Sequence, residues 1–178
     1  MRSCDVKGPC SLTPARWADT SMSKPKTYVE TSVVSYLTAM PSRDLVVAAQ
    51  QQVTIDWWTS RRAYSLFASD FVLDEAGRGD PMAAARRMNA LADLDLLETT
   101  DEVIELAGLL VQKGGLPAKA RVDAFHVAIA TVHGMEFLLT WNCKHIANAV
   151  LRGKIIEICR ASGFVAPVIC TPMELVQE

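Results

Sequence analysis

Four side chains able to hold a cation or move a proton stand at comparable places along this chain: Glu30, Glu75, Asp123 and Asn142. Glu30 closes a short β-branched and aromatic run, Thr27 to Val29, and two hydroxyls, Thr31 and Ser32, follow it. That order reads as a strand that ends on an acid and turns directly into a helix. In a parallel α/β sheet, ligands bind in the crevice beyond the carboxyl ends of the strands. An acid there stands at the mouth of a site, and hydroxyls beside it can hold water or a phosphate oxygen. Asp123 is the most telling of the four. It opens a helix, Lys119 to His133, that is apolar nearly all round. A carboxylate buried in such surroundings is costly unless it is paired or binds a metal. The alternative is that Asp123 caps that helix or meets Arg121 or another base, with the helix dipole as added support.

Other titratable groups read as structural. His126, one turn beyond Asp123, is expected to be a hydrogen-bonded core residue. Cys143, His133 and His145 lack a zinc spacing. Asp74 is expected to face solvent, because adjacent helix residues diverge. Asp80 before Pro81 reads as a helix cap. No Gly-rich phosphate loop of either common pattern occurs.

The elements that must position these groups alternate between strand and helix. After the first strand and its helix, Pro41 to Asp44 makes a turn. Asp44 is placed to cap a helix over Leu45 to Ser60, with Leu45, Ala48, Ala49, Val53 and Trp57 at helical spacing. A second strand is expected over Ala63 to Ala68, and Ser69-Asp70 can cap the segment Phe71 to Ala76. Asp80-Pro81 starts a helix to about Leu91, with Ala83, Ala84, Met88 and Leu91 inward and Arg86 and Arg87 outward. Leu94 to Glu98 reads as a third strand. Thr99 or Thr100 opens the next helix, with Glu102 completing a capping box if Thr99 is the cap. Phe137 to Thr140 is a nearly all-apolar fourth strand, as a buried parallel strand would be. Asn148 to Ser162 is a further helix, Val168 to Cys170 a last strand, and Thr171 to Leu175 a turn. The pattern predicts one three-layer α/β/α domain around a central parallel sheet.

Composition narrows the function classes. The chain has 178 residues, 50% of them apolar and 21% charged, which suits one globular domain. A net charge of −2 leaves no global basic field, so a polyanionic substrate would have to be gripped by local Lys and Arg. Five scattered cysteines without a C-x-x-C pair argue against a disulfide framework and fit a reducing cytoplasm. No apolar run approaches the roughly 18 residues of a membrane span. Residues 1–25 lack the apolar core of a signal peptide and read as a flexible tail before a folded domain over 26–178. Met22, just ahead of the first strand, is an alternative translation start to Met1.

The segments YVETSVVSYL, SDFVLDEA, DAFHVAIA and LLTWNCKHI, in that order and context, resemble the four motifs of the PIN-domain nucleases. They look most like the VapC-type ribonuclease toxins of type II toxin–antitoxin pairs. The resemblance spans about Thr27 to Cys170. It implies a PIN-like fold whose acidic pocket holds Mg²⁺ or Mn²⁺ through Glu30, Glu75, Asp123 and Asn142. Two positions depart from the family pattern: Glu30 and Asn142 stand where Asp is usual. Three carboxylates and an amide oxygen still form a hard-cation donor set. Thr31 and Thr140 are placed to bond a ligand carboxylate or a bound water. The implied chemistry is metal-assisted hydrolysis of phosphodiester bonds in single-stranded or looped RNA. Lys119, Arg121 and Lys144 lie near motif ends as phosphate contacts, with Arg43 a further candidate. The resemblance also implies a cognate antitoxin protein and a homodimer. The reading that competes with the nuclease is a catalytically decayed PIN-like module that binds RNA or protein. A phosphohydrolase on a similar sheet lacks support, since no Asp-x-Asp follows the first strand.

Overall fold

The computed structural model describes residues 23–176; the expected tail therefore lies almost wholly outside the described residues. Five strands form one all-parallel sheet: β1 (Lys26–Val29), β2 (Ser65–Ser69), β3 (Asp95–Leu97), β4 (Phe137–Leu139) and β5 (Val168–Cys170). Their spatial order is β3-β2-β1-β4-β5. The chain thus builds outward from β1 in one direction, then returns to lay β4 against its other side. This places the reversal of strand order between β1 and β4, and in open α/β sheets a crevice opens at such a point beyond the strand ends.

Helices flank the sheet. α1 (Thr31–Thr38) packs against α2 (Leu45–Thr59), α3 (Asp70–Ala76) and α4 (Pro81–Leu91). α5 (Asp101–Gln112) packs against α6 (Arg121–Val132) and α7 (Ala149–Ala161). The architecture is the α/β fold with a central parallel sheet that the alternating pattern predicts. Caps set the helix starts: Asp44 accepts from the amides of Val46 and Val47, Asp80 from Ala83, and Asn148 from Val150. Gly134, at φ +63°, follows α6 and turns the chain toward β4.

The structure corrects several local expectations. β2 begins at Ser65 because residues 61–63 wind into a 3₁₀ turn. α6 begins at Arg121, after a second 3₁₀ turn over Ala118–Ala120. Thr100 caps α5 through the amide of Val103, so Glu102 does not complete a capping box. Ser69 occupies the cap position of α3, yet its hydroxyl turns away from the helix to Tyr28. Met88, expected inward, is exposed, as is Leu45. Helix α2 instead buries Gln51, Thr54 and Trp57. Gln51 is drawn inward by its bonds to the amide of Ser42 and the carbonyl of Met40, which tie down the preceding turn. Arg86 and Arg87 are not idle surface charges. Arg86 donates to the carbonyl of Thr38 and Arg87 to that of Ala76, each at the end of a helix where carbonyls lack partners.

Trp57 is the largest fully buried side chain, packed against Trp58 and Tyr64. Its indole N–H has no hydrogen-bond partner among the described residues. Trp57→Ala should therefore destabilise the fold by about 3–5 kcal/mol through lost packing and a cavity. Trp57→Phe should cost clearly less, since the polar group it deletes is unsatisfied; urea denaturation of the two variants checks the order.

Candidate metal centre

β1 and β4 end side by side, and a polar residue follows each at once. The backbone N–H of Glu30 donates to the carbonyl of Leu139, and that of Thr140 to Cys170, so both residues still belong to the sheet at its carboxyl edge. Glu30 is also the N-cap of α1: its Oε1 accepts from the amide of Ser32 at 3.1 Å. Its Oε2 accepts from Thr140 Oγ1 at 2.7 Å and from the Ser32 hydroxyl. Ser32 Oγ in turn accepts from the amide of Trp141 at 2.8 Å, which locks the start of α1 to the end of β4. Glu30, Thr140 and Thr31 are all buried.

Glu75 reaches the same rim from α3. Its Oε2 accepts from Thr31 Oγ1 at 2.6 Å and lies 3.0 Å from His126 Nε2. Donor atoms of Glu30, Glu75 and His126 all lie within 4.8 Å of one another. Burial alone would raise the Glu75 carboxyl, but the hydrogen bonds from His126 and Thr31, with the charge of Arg78, outweigh it. The carboxyl is held below its usual range.

Asp123 and Asn142 meet each other instead of joining that triplet. Asn142 Nδ2 donates to Asp123 Oδ1 at 3.0 Å, and His145 Nδ1 lies 2.7 Å from Asp123 Oδ2. Asn142 Oδ1 accepts from the amide of His145. Asp123 therefore meets a base, as one reading of the sequence allows, but that base is His145, and it neither caps α6 nor pairs with Arg121. The two clusters are joined through Thr140 Oγ1, which accepts from the amide of Asn142 at 2.9 Å while donating to Glu30. Lys119, Arg121 and Lys144 are exposed, and none enters a salt bridge among the described residues.

Three contributors were not legible as such. His126, read as a core residue, is indeed 1% exposed, but it also faces the carboxylates. His145, which lacks a zinc spacing, orients Asp123. Trp141 stacks on Tyr36 and donates from its indole to Thr54 at 2.8 Å, fastening α1 and α2 to the site. An unusually apolar motif carrying a lone His beside an acid was the available signal for His126; nothing local marked the others.

The donor chemistry fits a hard divalent cation. Two carboxylates and an imidazole converge; hydrogen-bond donors fix both oxygens of Glu30 and Oε2 of Glu75, while Glu75 Oε1 accepts no hydrogen bond from the described residues. The salt bridges of the described residues bring no Lys or Arg to Glu30, Glu75 or Asp123.

No protein-family model matches the chain, and no curated protein does. Among solved structures, VapBC2 from Rickettsia felis bound to a DNA fragment from their promoter aligns with 82% of this chain and 98% of its own. The sequence identity is 14% and the TM-score 0.49. A likeness at that level carries no weight for activity, and the site geometry stands without it.

The depressed Glu75 carboxyl links stability to pH. A group lowered on folding stabilises the protein above its unfolded value, and that contribution is lost as pH falls through the folded value. The melting temperature of wild type relative to Glu75→Gln should accordingly be highest near neutral pH. The difference should shrink once pH drops below the usual carboxylate range, as read by thermal melts across pH.

Proposed function

We propose that this chain is a Mg²⁺- or Mn²⁺-dependent endoribonuclease of the PIN type. What supports the reading is the meeting of Glu30, Glu75 and His126 within 4.8 Å at the strand-order reversal, with no Lys or Arg among the described residues in a salt bridge to them. A bound divalent cation supplies an activated water and offsets charge on the leaving oxygen. Glu30 and Glu75 hold that cation. Thr140 and Ser32 fix the Glu30 oxygens, and Thr31 fixes Glu75, so neither carboxylate must reorganise on binding. Asp123, oriented by Asn142 and His145, is linked to this group through Asn142 and Thr140, and one of the carboxylates would take the proton lost by the attacking water. Lys119, Arg121 and Lys144 are free to meet RNA phosphates, and a single strand or loop leaves its backbone open to this rim. In this reading the protein is the toxin of a toxin–antitoxin pair, works as a homodimer, and is restrained by a cognate antitoxin.

One observation favours a second reading. Both Asp123 oxygens are engaged by Asn142 and His145, as they would be in a decayed PIN-like module that binds RNA or protein without cutting it.

Cleavage assays separate the two. Purified protein with Mn²⁺ should cut single-stranded RNA and stop when EDTA is added. Glu75→Gln and Asp123→Asn should each lower the rate by at least about a hundredfold, the upper end for residues that merely orient ligands. Cleavage that persists in EDTA, or in Glu75→Gln, contradicts the nuclease reading.

A further inference from the structure

The hydrogen bonds that end on Glu75 begin deep inside the sheet. Ser69 Oγ lies 2.6 Å from Tyr28 Oη, Tyr28 Oη lies 2.8 Å from His126 Nδ1, and His126 Nε2 lies 3.0 Å from Glu75 Oε2. Ser69 and Tyr28 are fully buried and His126 is 1% exposed, so water does not complete any member of this row. Only Glu75 reaches solvent.

The direction of each bond follows from its two ends. A carboxylate only accepts, so the hydrogen between Nε2 and Oε2 belongs to the ring. A neutral imidazole carries one N–H, which leaves Nδ1 as an acceptor. The neighbour of Nδ1 must then donate, and the Tyr28 hydroxyl, 2.8 Å away, carries the hydrogen to do so. Having donated to the ring, Tyr28 Oη accepts from Ser69. This is why the Ser69 hydroxyl abandons the cap of α3. The opposite tautomer would set the lone pairs of Nε2 and Glu75 Oε2 against each other at 3.0 Å.

We propose that Tyr28 and His126 are positioning residues: Tyr28 locks His126 as the Nε2–H tautomer, and His126 anchors Glu75 rather than binding the cation. The proposal rests on the metal-dependent reading of the site and narrows it. Proximity alone would count His126 as a third ligand, with the nitrogen preference for later transition metals that imidazole brings. The hydrogen-bond row removes it. Glu75 Oε2 already carries two hydrogen bonds, from Thr31 and His126, so Oε1 is the oxygen turned to the cation.

Long-range proton–nitrogen NMR on the histidine rings of the wild-type protein reads the tautomer directly. Nε2 of His126 should be protonated and Nδ1 bare, both without metal and with Mg²⁺ added. An Nδ1–H ring, a doubly protonated ring, or a switch of tautomer on adding Mg²⁺ overturns the proposal. Tyr28→Phe, which removes one hydroxyl, should weaken Mn²⁺ binding by calorimetry and lower kcat, each about tenfold, with KM nearly unchanged. His126→Gln, which keeps an N–H donor, should retain most of the Mn²⁺ affinity that His126→Leu loses; equal losses overturn the proposal. Wild type that binds no Mn²⁺ ends the nuclease reading and this one with it. Wild type that binds Mn²⁺ as tightly as Tyr28→Phe does ends this one alone.

Discussion

Two carboxylates, one buried and one half-buried, held by hydrogen bonds at one edge of the sheet are the constraint on which this structure turns. Two unit charges near the 4.8 Å limit of the cluster repel by roughly 3.5 kcal/mol at an effective dielectric of 20. Each hydrogen bond to a charged group returns about 1.5–3 kcal/mol. Glu30 accepts three, from the Ser32 amide, the Ser32 hydroxyl and Thr140, while Glu75 accepts two, from Thr31 and His126. The hydrogen bonds exceed that repulsion, and no Lys or Arg among the described residues forms a salt bridge with either carboxylate. A rim built this way holds its donor atoms in place and still has charge to give to a cation.

The sheet order makes the constraint possible. Because β4 returns to the free side of β1, residues 110 positions apart, Glu30 and Thr140, share one hydrogen bond at the strand ends. The α3 helix then brings Glu75 from the other neighbour of β1, and α6 brings His126 from beneath. Trp141 ties the far side down by reaching both α1 and α2. Functional groups thus come from four separate segments, while the backbone that carries them is braced by an apolar core including Tyr28, Val33, Leu138 and Leu139.

Local chemistry was legible in the sequence wherever its partner lay within a few residues. The acid-then-hydroxyl turn at Glu30, the caps at Asp44 and Asp80, and the buried character of the helix around His126 all follow from short-range pattern. What the sequence hid depends on distant partners. Ser69 reads as a helix cap until Tyr28, 41 positions earlier, is seen to take its hydroxyl. His126 reads as core until its second nitrogen is found against Glu75. Asp123 and Asn142 bond each other, with His145, and Thr140 links Asn142 to Glu30, contacts that no short-range pattern announces. The exposed Met88 shows the same limit from the apolar side, since helical spacing does not say which stripe faces the sheet.

Because the central claim is that this rim carries fixed, unneutralised charge, thermal melting with and without Mn²⁺ tests it most directly. A ligand bound only by the folded state adds about 2.7 kcal/mol at a hundred times its dissociation constant. Wild type should melt higher as Mn²⁺ rises, and Glu30→Gln/Glu75→Gln should not respond. A wild-type melt indifferent to millimolar Mn²⁺, or an equal rise in the double variant, would contradict the account.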